Sequence, residues 1–299
     1  MSINNTNPIS KSKPIKELIR YATYCLDKEN LFFGHGNDNS LDEAICIISN
    51  ILGINPDVID KYLDSTLSSE DFHKFLNILE RRTKLYIPTA YLTNEAWLQG
   101  YNFYIDERAI IPRSFISEIL INGIYPWIKK TENIKDILDL CTGSACLAII
   151  SSFIFPNAQI LASDISDDAL QIAKKNIDSY ALQDRIAIKK SNLFEKINNK
   201  KYDLIICNPP YVNKISMENL PKEYKHEPEI ALYGGSDGMD IINTIINTYN
   251  EYLNDNGILL LEIGNEYKNF KQRFPDLYPI WLTTATTENS VLLLQKNIA

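Results

Sequence analysis

Hydrophobic residues in the first third of the chain recur three and four positions apart, which is the spacing of helices with one buried face. The pattern extends over residues 15–84 and is clearest in three stretches: Leu18, Ile19, Ala22 and Leu26; Ala44, Ile45, Ile48, Ile51 and Leu52; and Phe72, Phe75, Leu76 and Leu79. The sequence therefore predicts a small helical domain of about four helices over residues 15–94.

Polar residues mark the expected ends of these helices. Ser40 with Glu43 is typical of a helix start with a capping box, and Ser68 with Asp71 has similar features. The first fourteen residues are polar and contain no apolar segment. We therefore predict a disordered tail over residues 1–14 rather than a signal peptide.

Strand-like stretches separated by turn residues follow the helical region. Apolar and aromatic residues cover 96–98 and 101–105, and a third short stretch, 109–111, precedes Pro112. Proline donates no backbone hydrogen bond, so it ends the series. We predict a β-hairpin linker over residues 95–112.

After residue 135 the chain alternates between apolar strands and helices. The predicted strands are 137–140, 160–163, 186–188, 204–207, 258–261, 278–282 and 291–294. Near-continuous apolar strands separated by helices indicate a mostly parallel sheet that is covered on both faces. Residues 113–299 are thus predicted to form a doubly wound α/β domain, which binds its ligand beyond the carboxyl ends of the strands.

Composition narrows the class of protein. The 299 residues are 45% hydrophobic and 23% charged, with no apolar run of eighteen, so we expect a soluble protein without a membrane span. The five cysteines form no Cys-x-x-Cys pair, and the three histidines lack the spacing of metal ligands, so we expect a cytoplasmic protein with reduced thiols and no metal. The net charge of −8, with no basic cluster, argues against a direct nucleic-acid site.

Small residues follow the first strand of the α/β region. This turn contains Asp139, Cys141, Thr142, Gly143 and Ser144. Small side chains let a ligand approach the backbone, and the start of the next helix supplies free N–H groups. The same residues also suit an ordinary tight strand–helix turn, because the segment is neither a phosphate-binding Walker loop nor a Gly-x-Gly-x-x-Gly motif.

Two further strand ends carry polar residues that fit a nucleoside. Asp164 follows the second strand about 20 residues after the glycine turn, where nucleotide sites place an acid on the ribose hydroxyls. Asn192 and Leu193 follow the third strand, where an amide suits the adenine edge and an apolar side chain suits its face. Asp164 has an alternative role as a helix cap, and Asn192 as a solvated loop residue.

The most specific motif is Asn208-Pro209-Pro210-Tyr211, directly after a buried strand. Each proline fixes its own φ and pushes the preceding residue to extended geometry. A side-chain oxygen of Asn208 and the carbonyl of Pro209 can therefore be aimed at one –NH2 group. Tyr211 offers an aromatic wall for the planar group that carries this nitrogen. On these residues alone, an adenine amino group and a glutamine amide both remain open.

Together these motifs resemble those of the protein-glutamine methyltransferases, which are class I enzymes with a Rossmann-like domain and an antiparallel final strand. The resemblance covers about residue 15 to the end and favours the branch that acts on large-subunit ribosomal protein L-three over the release-factor branch. The stretches that resemble this branch are Phe33 to Asn39, Asp42 to Ala44, Ile87 to Asn94, Phe103 to Arg108, Ile111 to Ser114 and His226 to Glu229.

The resemblance implies S-adenosylmethionine as the cofactor, a glutamine of ribosomal protein L-three as the substrate, and a helical domain that selects this protein. It also implies that Asn208 to Tyr211 are catalytic and that the cofactor contacts Asn208 and these residues: Asp139, Cys141, Thr142, Gly143, Ser144, Asp164, Asn192 and Leu193. A release factor and a nucleobase are the alternative substrates, and a nucleobase is disfavoured by the acidic charge.

Two positions depart from the family pattern. Ala145 stands where the family usually has the second glycine of Gly-Ser-Gly, and a methyl group there is costly if the backbone needs a positive φ. Asn192 stands where the family often has aspartate, but its amide oxygen can still accept a hydrogen bond from an adenine amino group. We expect weakened cofactor binding at most. These two positions are also the only features that favour a cofactor-binding assembly protein without catalysis, and the intact motif Asn208 to Tyr211 argues against that alternative.

Overall fold

The computed structural model describes residues 9–296, which form two compact units. The helical unit consists of residues 9–95 together with the separate segment 221–226, and the sheet unit consists of residues 96–220 and 227–296. Most of the predicted tail, residues 1–8, lies outside the described residues. The rest of it belongs to the helical unit, where Pro14 forms a β-bridge with Thr66.

Four α-helices and one 3-10 helix form the first part of the helical unit. They are α1 (Ile15–Lys28), α2 (Ser40–Leu52), the 3-10 helix Pro56–Tyr62, α3 (Ser69–Leu85) and α4 (Thr89–Thr93). The apolar positions that predicted the helices form its core, and Leu18, Ile48 and Phe75 are fully buried. The predicted small helical region is confirmed.

One helix cap agrees with the sequence and the other differs from it. Ser68 accepts a hydrogen bond from the backbone N–H of Asp71 at 3.1 Å, as predicted. The cap of α2 is Asn39 instead of Ser40, and its side chain accepts from the N–H of Asp42 at 2.9 Å. Glu43 is therefore no capping-box acid; its carboxylate enters a buried ion pair, which is a tertiary contact that local sequence does not encode.

A buried ionic cluster attaches the segment 221–226 to the helical unit. The Arg82 guanidinium donates to Glu43 at 2.5 Å, to Glu223 at 3.0 Å and to the carbonyl of Phe32 at 3.1 Å. Glu223 also accepts from the N–H of Phe32 at 2.8 Å. All three charged side chains are less than 5% exposed. The partners therefore satisfy charges that burial alone would make costly.

The hairpin prediction is correct for its first two strands only. β1 (Glu95–Leu98) and β2 (Tyr101–Tyr104) form a two-stranded sheet. Residues 109–111 form no strand, which corrects the expectation from their apolar pattern. The N–H of Ile111 donates instead to the Glu227 carboxylate at 3.1 Å, so this backbone is held by a side chain.

The sheet unit contains a seven-stranded sheet with helices on both faces. Its strands are β3 (Asp136–Leu140), β4 (Gln159–Asp164), β5 (Ile186–Lys190), β6 (Tyr202–Cys207), β7 (Leu253–Glu262), β8 (Ile280–Leu282) and β9 (Val291–Gln295). The spatial order is β5-β4-β3-β6-β7-β9-β8, and β9 is antiparallel to both of its neighbours. This arrangement confirms the predicted Rossmann-like methyltransferase fold with an antiparallel final strand.

Alternate residues of the central strands enter the two cores of the sheet unit, as expected for strands that are buried on both sides. Ile137 packs into one core and its neighbour Leu138 into the other. The α-helices of this unit are α5 (Ile116–Asn122), α6 (Cys146–Ile154), α7 (Asp167–Ser179), α8 (Lys214–Glu218), α9 (Asp240–Tyr252) and α10 (Tyr267–Arg273). Its shorter 3-10 helices are Thr131–Asn133 and Glu229–Ala231, whereas the 3-10 helix Lys222–His226 belongs to the helical unit. Within residues 9–296, no helix is long and apolar enough to cross a membrane.

The position of β3 decides where a ligand site can form. β3 lies between β4 and β6 and pairs in parallel with both. The turns that follow these three strands therefore meet at one edge of the sheet. The predicted glycine turn, ribose acid and Asn-Pro-Pro-Tyr motif all lie in these turns.

Candidate active site

A cleft of about 480 Å³ of empty space, some of it open to solvent, lies at this edge of the sheet unit. Its lining includes five of the predicted site residues, namely Cys141, Gly143, Asp164, Asn208 and Pro210. In doubly wound sheets, the carboxyl ends of the strands are where ligands bind. The three central strand ends thus contribute to a single cavity.

The glycine turn adopts a backbone that favours small residues. Cys141, Gly143 and Ala145 all have positive φ angles, of 55°, 54° and 64°. A Cβ atom at Gly143 would lie 3.6 Å from a methyl carbon of Ile110, which also lines the cleft. Glycine at this position therefore keeps the cleft open and avoids the left-handed strain of an L-residue.

Ala145 stands where the family pattern usually has a glycine, which adopts positive φ angles without strain. Ala145 is fully buried and stands in the left-handed conformation directly before α6. This conformation costs a residue with a Cβ roughly 1–2 kcal/mol. The backbone at Ala145 does have a positive φ, so the methyl group is costly there, as the sequence predicted for that case. The strained residue lies next to the cleft.

Asp164 links two strand ends through its carboxylate. One oxygen accepts from the N–H of Gly143 at 2.9 Å, and the other accepts from the N–H of Ser166 at 2.9 Å. Burial raises the pKa of this carboxyl above its ordinary value. The cap of α7 is Ser166, which accepts from the N–H of Ala169 at 3.2 Å. Asp164 is thus not needed as the helix cap, and it lines the cleft.

Three predicted cofactor residues lie under the turn. Asp139, Thr142 and Ser144 are all buried and do not line the cleft. Thr142 donates its hydroxyl to Asp139 at 2.5 Å, and its backbone N–H donates to the carbonyl of Ser163 at 2.9 Å. Burial raises the pKa of Asp139 to about 7. These residues support the turn, and direct contact with a cofactor stays a prediction.

The predicted adenine contacts also lie outside the residues that line the cleft. Asn192 is exposed and donates its amide to Glu195 at 2.7 Å. Leu193 has a φ of 45°, and its side chain is buried in one of the two cores. Their role toward adenine stays a prediction.

The Asn-Pro-Pro-Tyr motif begins where β6 ends. Asn208 and Pro210 line the cleft, and Pro209 is buried between them. Tyr211 is half-buried, and its hydroxyl donates to the carboxylate of Glu262 at 3.1 Å. Burial raises the pKa of Glu262 to about 7. The motif thus joins the cleft to a buried acid at the end of β7.

Sequence reasoning missed a second wall of the cleft. Its residues are Ala109, Ile110, Pro228, Ile230 and Ala231, together with Arg108. The two terminal nitrogens of the Arg113 guanidinium, Nη1 and Nη2, donate to the two oxygens of Glu227 at 2.5 and 2.6 Å. With the N–H of Ile111, this ion pair joins the two segments that form the wall. The stretches 103–108, 111–114 and 226–229 resemble the family in sequence, which marked them as candidates. Their separation along the chain did not reveal that these segments meet in space.

Metal ligands do not gather in the described part of the chain. Within residues 9–296, no group of three or more His, Cys, Asp or Glu side chains is arranged to hold a metal ion. The side-chain groups of the cleft are instead an amide, a carboxylate, a guanidinium, a thiol, a hydroxyl and several apolar side chains. They suit a ligand with both polar and apolar parts.

Comparisons with known proteins extend the similarity to nearly the whole chain. A family model described as the methyltransferase small domain matches residues 117–222. A ribosomal protein uL3 glutamine methyltransferase of Bordetella pertussis is 45% identical over 282 residues, covering 94% of this chain and 95% of the relative. Proteins of the same name from Burkholderia pseudomallei and Francisella tularensis subsp. tularensis are 44% and 38% identical, covering 94% and 96% of this chain and 94% and 91% of the relatives.

Proposed function

The chain belongs to the ribosomal protein uL3 glutamine methyltransferase family, and we propose that it transfers a methyl group from S-adenosylmethionine to the side-chain amide nitrogen of a glutamine in uL3. The observation that carries this proposal is the common cleft. Asn208 and Pro210 line the same cavity as Gly143 and Asp164. An amide-binding motif and a nucleoside-binding turn are therefore adjacent.

The residues of the cleft fit the cofactor. Each oxygen of the Asp164 carboxylate accepts one backbone N–H and keeps a lone pair for a ribose hydroxyl. Gly143 leaves the turn open to close approach, and Ile165 and Ile230 supply apolar surface for a planar base. S-adenosylmethionine supplies the methyl group when bound, as an electrophilic sulfonium.

Asn208 and Pro209 act on the acceptor nitrogen. An amide nitrogen is a poor nucleophile because its lone pair is delocalised into the carbonyl. The side-chain oxygen of Asn208 and the carbonyl of Pro209 accept its two N–H bonds, which orients the nitrogen and favours the positive charge that develops on it. The N–C bond would form as the C–S bond of the donor breaks, and the methylated nitrogen would then release one proton to solvent, which leaves a neutral amide. The chain contributes positioning and electrostatic stabilisation, with no covalent enzyme intermediate. Tyr211 forms a wall for the planar amide.

The substrate assignment is tested by direct competition between two proteins. Purified enzyme and cofactor with a labelled methyl group are incubated with uL3 and with release factor, both produced in cells that lack these methyltransferases. We expect label in uL3, on a glutamine side chain located by mass spectrometry. Label in release factor alone would assign the chain a different substrate, and label in neither would contradict the proposed activity.

The role of Asn208 is tested by an alanine variant. Asn208→Ala removes one of the two acceptors and is expected to lower kcat by roughly 10²–10³, as loss of a preorganised electrostatic contact does. Cofactor affinity, measured by calorimetry, should stay within about tenfold, the equivalent of one ordinary hydrogen bond. Asn157→Ala, at an exposed turn before β4, is the matched control. Unchanged transfer by Asn208→Ala would refute the assigned role.

A further inference from the structure

We propose that Glu262 is a positioning residue for methyl transfer, because its buried carboxylate holds the ring of Tyr211 in the orientation that makes it a wall for the substrate amide. This inference rests on the function proposed above. Neither Glu262 nor Tyr211 is among the residues that line the cleft, but Tyr211 directly follows Pro210, which does line it. Glu262 therefore acts through Tyr211 rather than on the substrate.

Both oxygens of the Glu262 carboxylate are engaged. One accepts from the hydroxyl of Tyr211 at 3.1 Å. The other accepts from the hydroxyl of Ser114 at 2.6 Å and from the N–H of Phe115 at 2.9 Å. The residue is 1% exposed, so solvent does not compete for these bonds. Three donors around one buried carboxylate fix its plane, and with it the place of the Tyr211 hydroxyl.

The strand register brings the acid beside the motif. Cys207, the last residue of β6, pairs in parallel with Leu261 of β7. The residues that follow this pair along the chain are Asn208 and Glu262. Glu262 also pairs with Val291 of β9 and therefore remains part of the sheet, whereas the motif extends beyond it. A residue of the rigid sheet thus reaches the side chain of a loop residue.

Glycines enclose Tyr211 from other directions. A Cβ atom at Gly264 would lie 2.3 Å from a ring carbon of Tyr211, and one at Gly238 would lie 2.2 Å from its carbonyl oxygen. At Gly234 the corresponding distance to the Cα atom of Tyr211 is 2.7 Å. No side chain fits at these distances. Backbone packing therefore limits the position of Tyr211, while Glu262 determines the position of the ring edge that carries the hydroxyl.

Ring orientation matters because the amide is planar. The hydroxyl oxygen lies on the axis of the Cβ–Cγ bond, so its hydrogen bond to Glu262 restrains the swing of the ring about the Cα–Cβ bond. A ring that swings about this bond no longer lies beside the amide. Misplacement of a reacting group by about 1 Å can lower a rate roughly 10²-fold. The hydrogen bond of Glu262 therefore supports kcat through geometry and takes no proton from the substrate.

Three variants separate the hydrogen bond from the charge. Glu262→Met has similar length but accepts no hydrogen bond, and Tyr211→Phe removes only the hydroxyl. Both should lower kcat by roughly 10- to 100-fold while the KM for the methyl donor stays within about twofold. Glu262→Gln keeps an acceptor for Ser114 and Phe115 and turns its amide group to the Tyr211 oxygen. It should therefore restore kcat to within about threefold of the wild type.

A double variant tests whether the two residues act as one unit. If Glu262 acts through the Tyr211 hydroxyl, Tyr211→Phe combined with Glu262→Met should be no slower than the slower single variant. A loss that multiplies would overturn the proposal, because Glu262 would then act elsewhere. Equal losses in Glu262→Gln and Glu262→Met would also overturn it, since the charge and not the hydrogen bond would matter. If Glu262→Met fails to fold, Tyr211→Phe alone carries the test, because an unchanged kcat in that variant would overturn the role of the hydrogen bond.

A glycine pair supplies the matched packing control. Gly264→Ala and Gly100→Ala place an L-residue at positive φ angles of 53° and 78°, but only the first meets the Tyr211 ring, whereas the site around Gly100 is open. Gly264→Ala should lower kcat, and Gly100→Ala should not. Equal kcat values in the two variants would contradict a constrained ring.

A spectroscopic readout separates this inference from the proposed function. With 3-fluorotyrosine incorporated at Tyr211, the fluorine resonance should show one fixed ring environment in the otherwise wild-type protein. It should become averaged or shift in Glu262→Met, without any substrate present. An unchanged resonance would overturn the role of Glu262. A changed resonance in an enzyme that labels no uL3 would leave the positioning intact and reject the substrate.

Discussion

Replacing Arg82 by methionine removes the cation from the buried cluster of the helical unit. The Arg82 side chain is 2% exposed, and its guanidinium donates to Glu43 and Glu223, which are also buried. Methionine keeps much of the side-chain length without the charge. The variant therefore leaves two carboxylates buried with no cation beside them.

The expected loss of unfolding free energy is large because only one partner of a buried ionic cluster is removed. Removing one partner of a buried pair typically costs about 3–5 kcal/mol of unfolding free energy, because an uncompensated charge stays buried. Arg20, which is 78% exposed and pairs with Glu17 at 3.2 Å, is the surface control. Arg20→Met should change the unfolding free energy by about 1 kcal/mol or less.

The assay has to report on the helical unit. All three tryptophans, Trp97, Trp127 and Trp281, belong to the sheet unit, so tryptophan fluorescence follows the wrong unit. Hydrogen exchange of peptides from α3 and from 221–226, measured along a urea titration, follows the helical unit. All variants are measured at the same pH and ionic strength.

A triple variant makes the reasoning refutable. Arg82→Met combined with Glu43→Gln and Glu223→Gln removes all three charges and keeps acceptors for Thr89 and for the N–H of Phe32. It should recover at least half of the stability lost in Arg82→Met. A loss in Arg82→Met no larger than that in Arg20→Met, or no recovery in the triple variant, would show that the buried charges are not the cause.

Three further changes test the turn and the cleft. Because burial raises the pKa of Asp139 to about 7 from an ordinary 3.8, the folded state holds the proton more tightly than the unfolded state. Wild-type unfolding free energy should thus fall as pH rises from about 4 to 7, and Asp139→Asn should lose roughly 3 kcal/mol of this difference between pH 5 and pH 8 in urea titrations. A parallel pH dependence in both proteins would contradict this. Gly143→Ala and Gly100→Ala should each destabilise by roughly 1–2 kcal/mol through left-handed strain, but calorimetry should detect weaker cofactor binding only for Gly143→Ala. Asp164→Asn should weaken cofactor binding roughly 10- to 100-fold, because it removes hydrogen bonds to a charged group. Asp167→Asn, which changes an exposed surface ion pair, should leave cofactor binding unchanged. Equal affinities in the two variants would exclude Asp164 from the site.

Much of the cleft was predictable because its residues follow parallel strands. Gly143, Asp164 and Asn208 each follow a strand whose apolar run is readable, and the carboxyl ends of adjacent parallel strands share one edge. Leu193 also follows a strand and was predicted to contact adenine. Its backbone has a positive φ instead, and its side chain is buried in the core. A backbone reversal by a non-glycine residue leaves no clear local signal.

The sequence by itself determined the elements and the chemistry at their ends. Hydrophobic spacing distinguished the helical region from the α/β region, and two prolines after a buried strand marked Asn208 to Tyr211 as a candidate site. These features depend on neighbours along the chain, whose geometry is set by periodicity and by restricted φ angles.

Only the tertiary structure decided which distant residues meet. It brought Glu223 to Arg82, 141 positions away, and Glu262 to Tyr211, 51 positions away. It also joined residues 109–113 to Glu227 to form the second wall of the cleft. The physical reason is that a buried carboxylate must find donors wherever the chain places them, and this requirement depends on distance in space, not on separation in sequence.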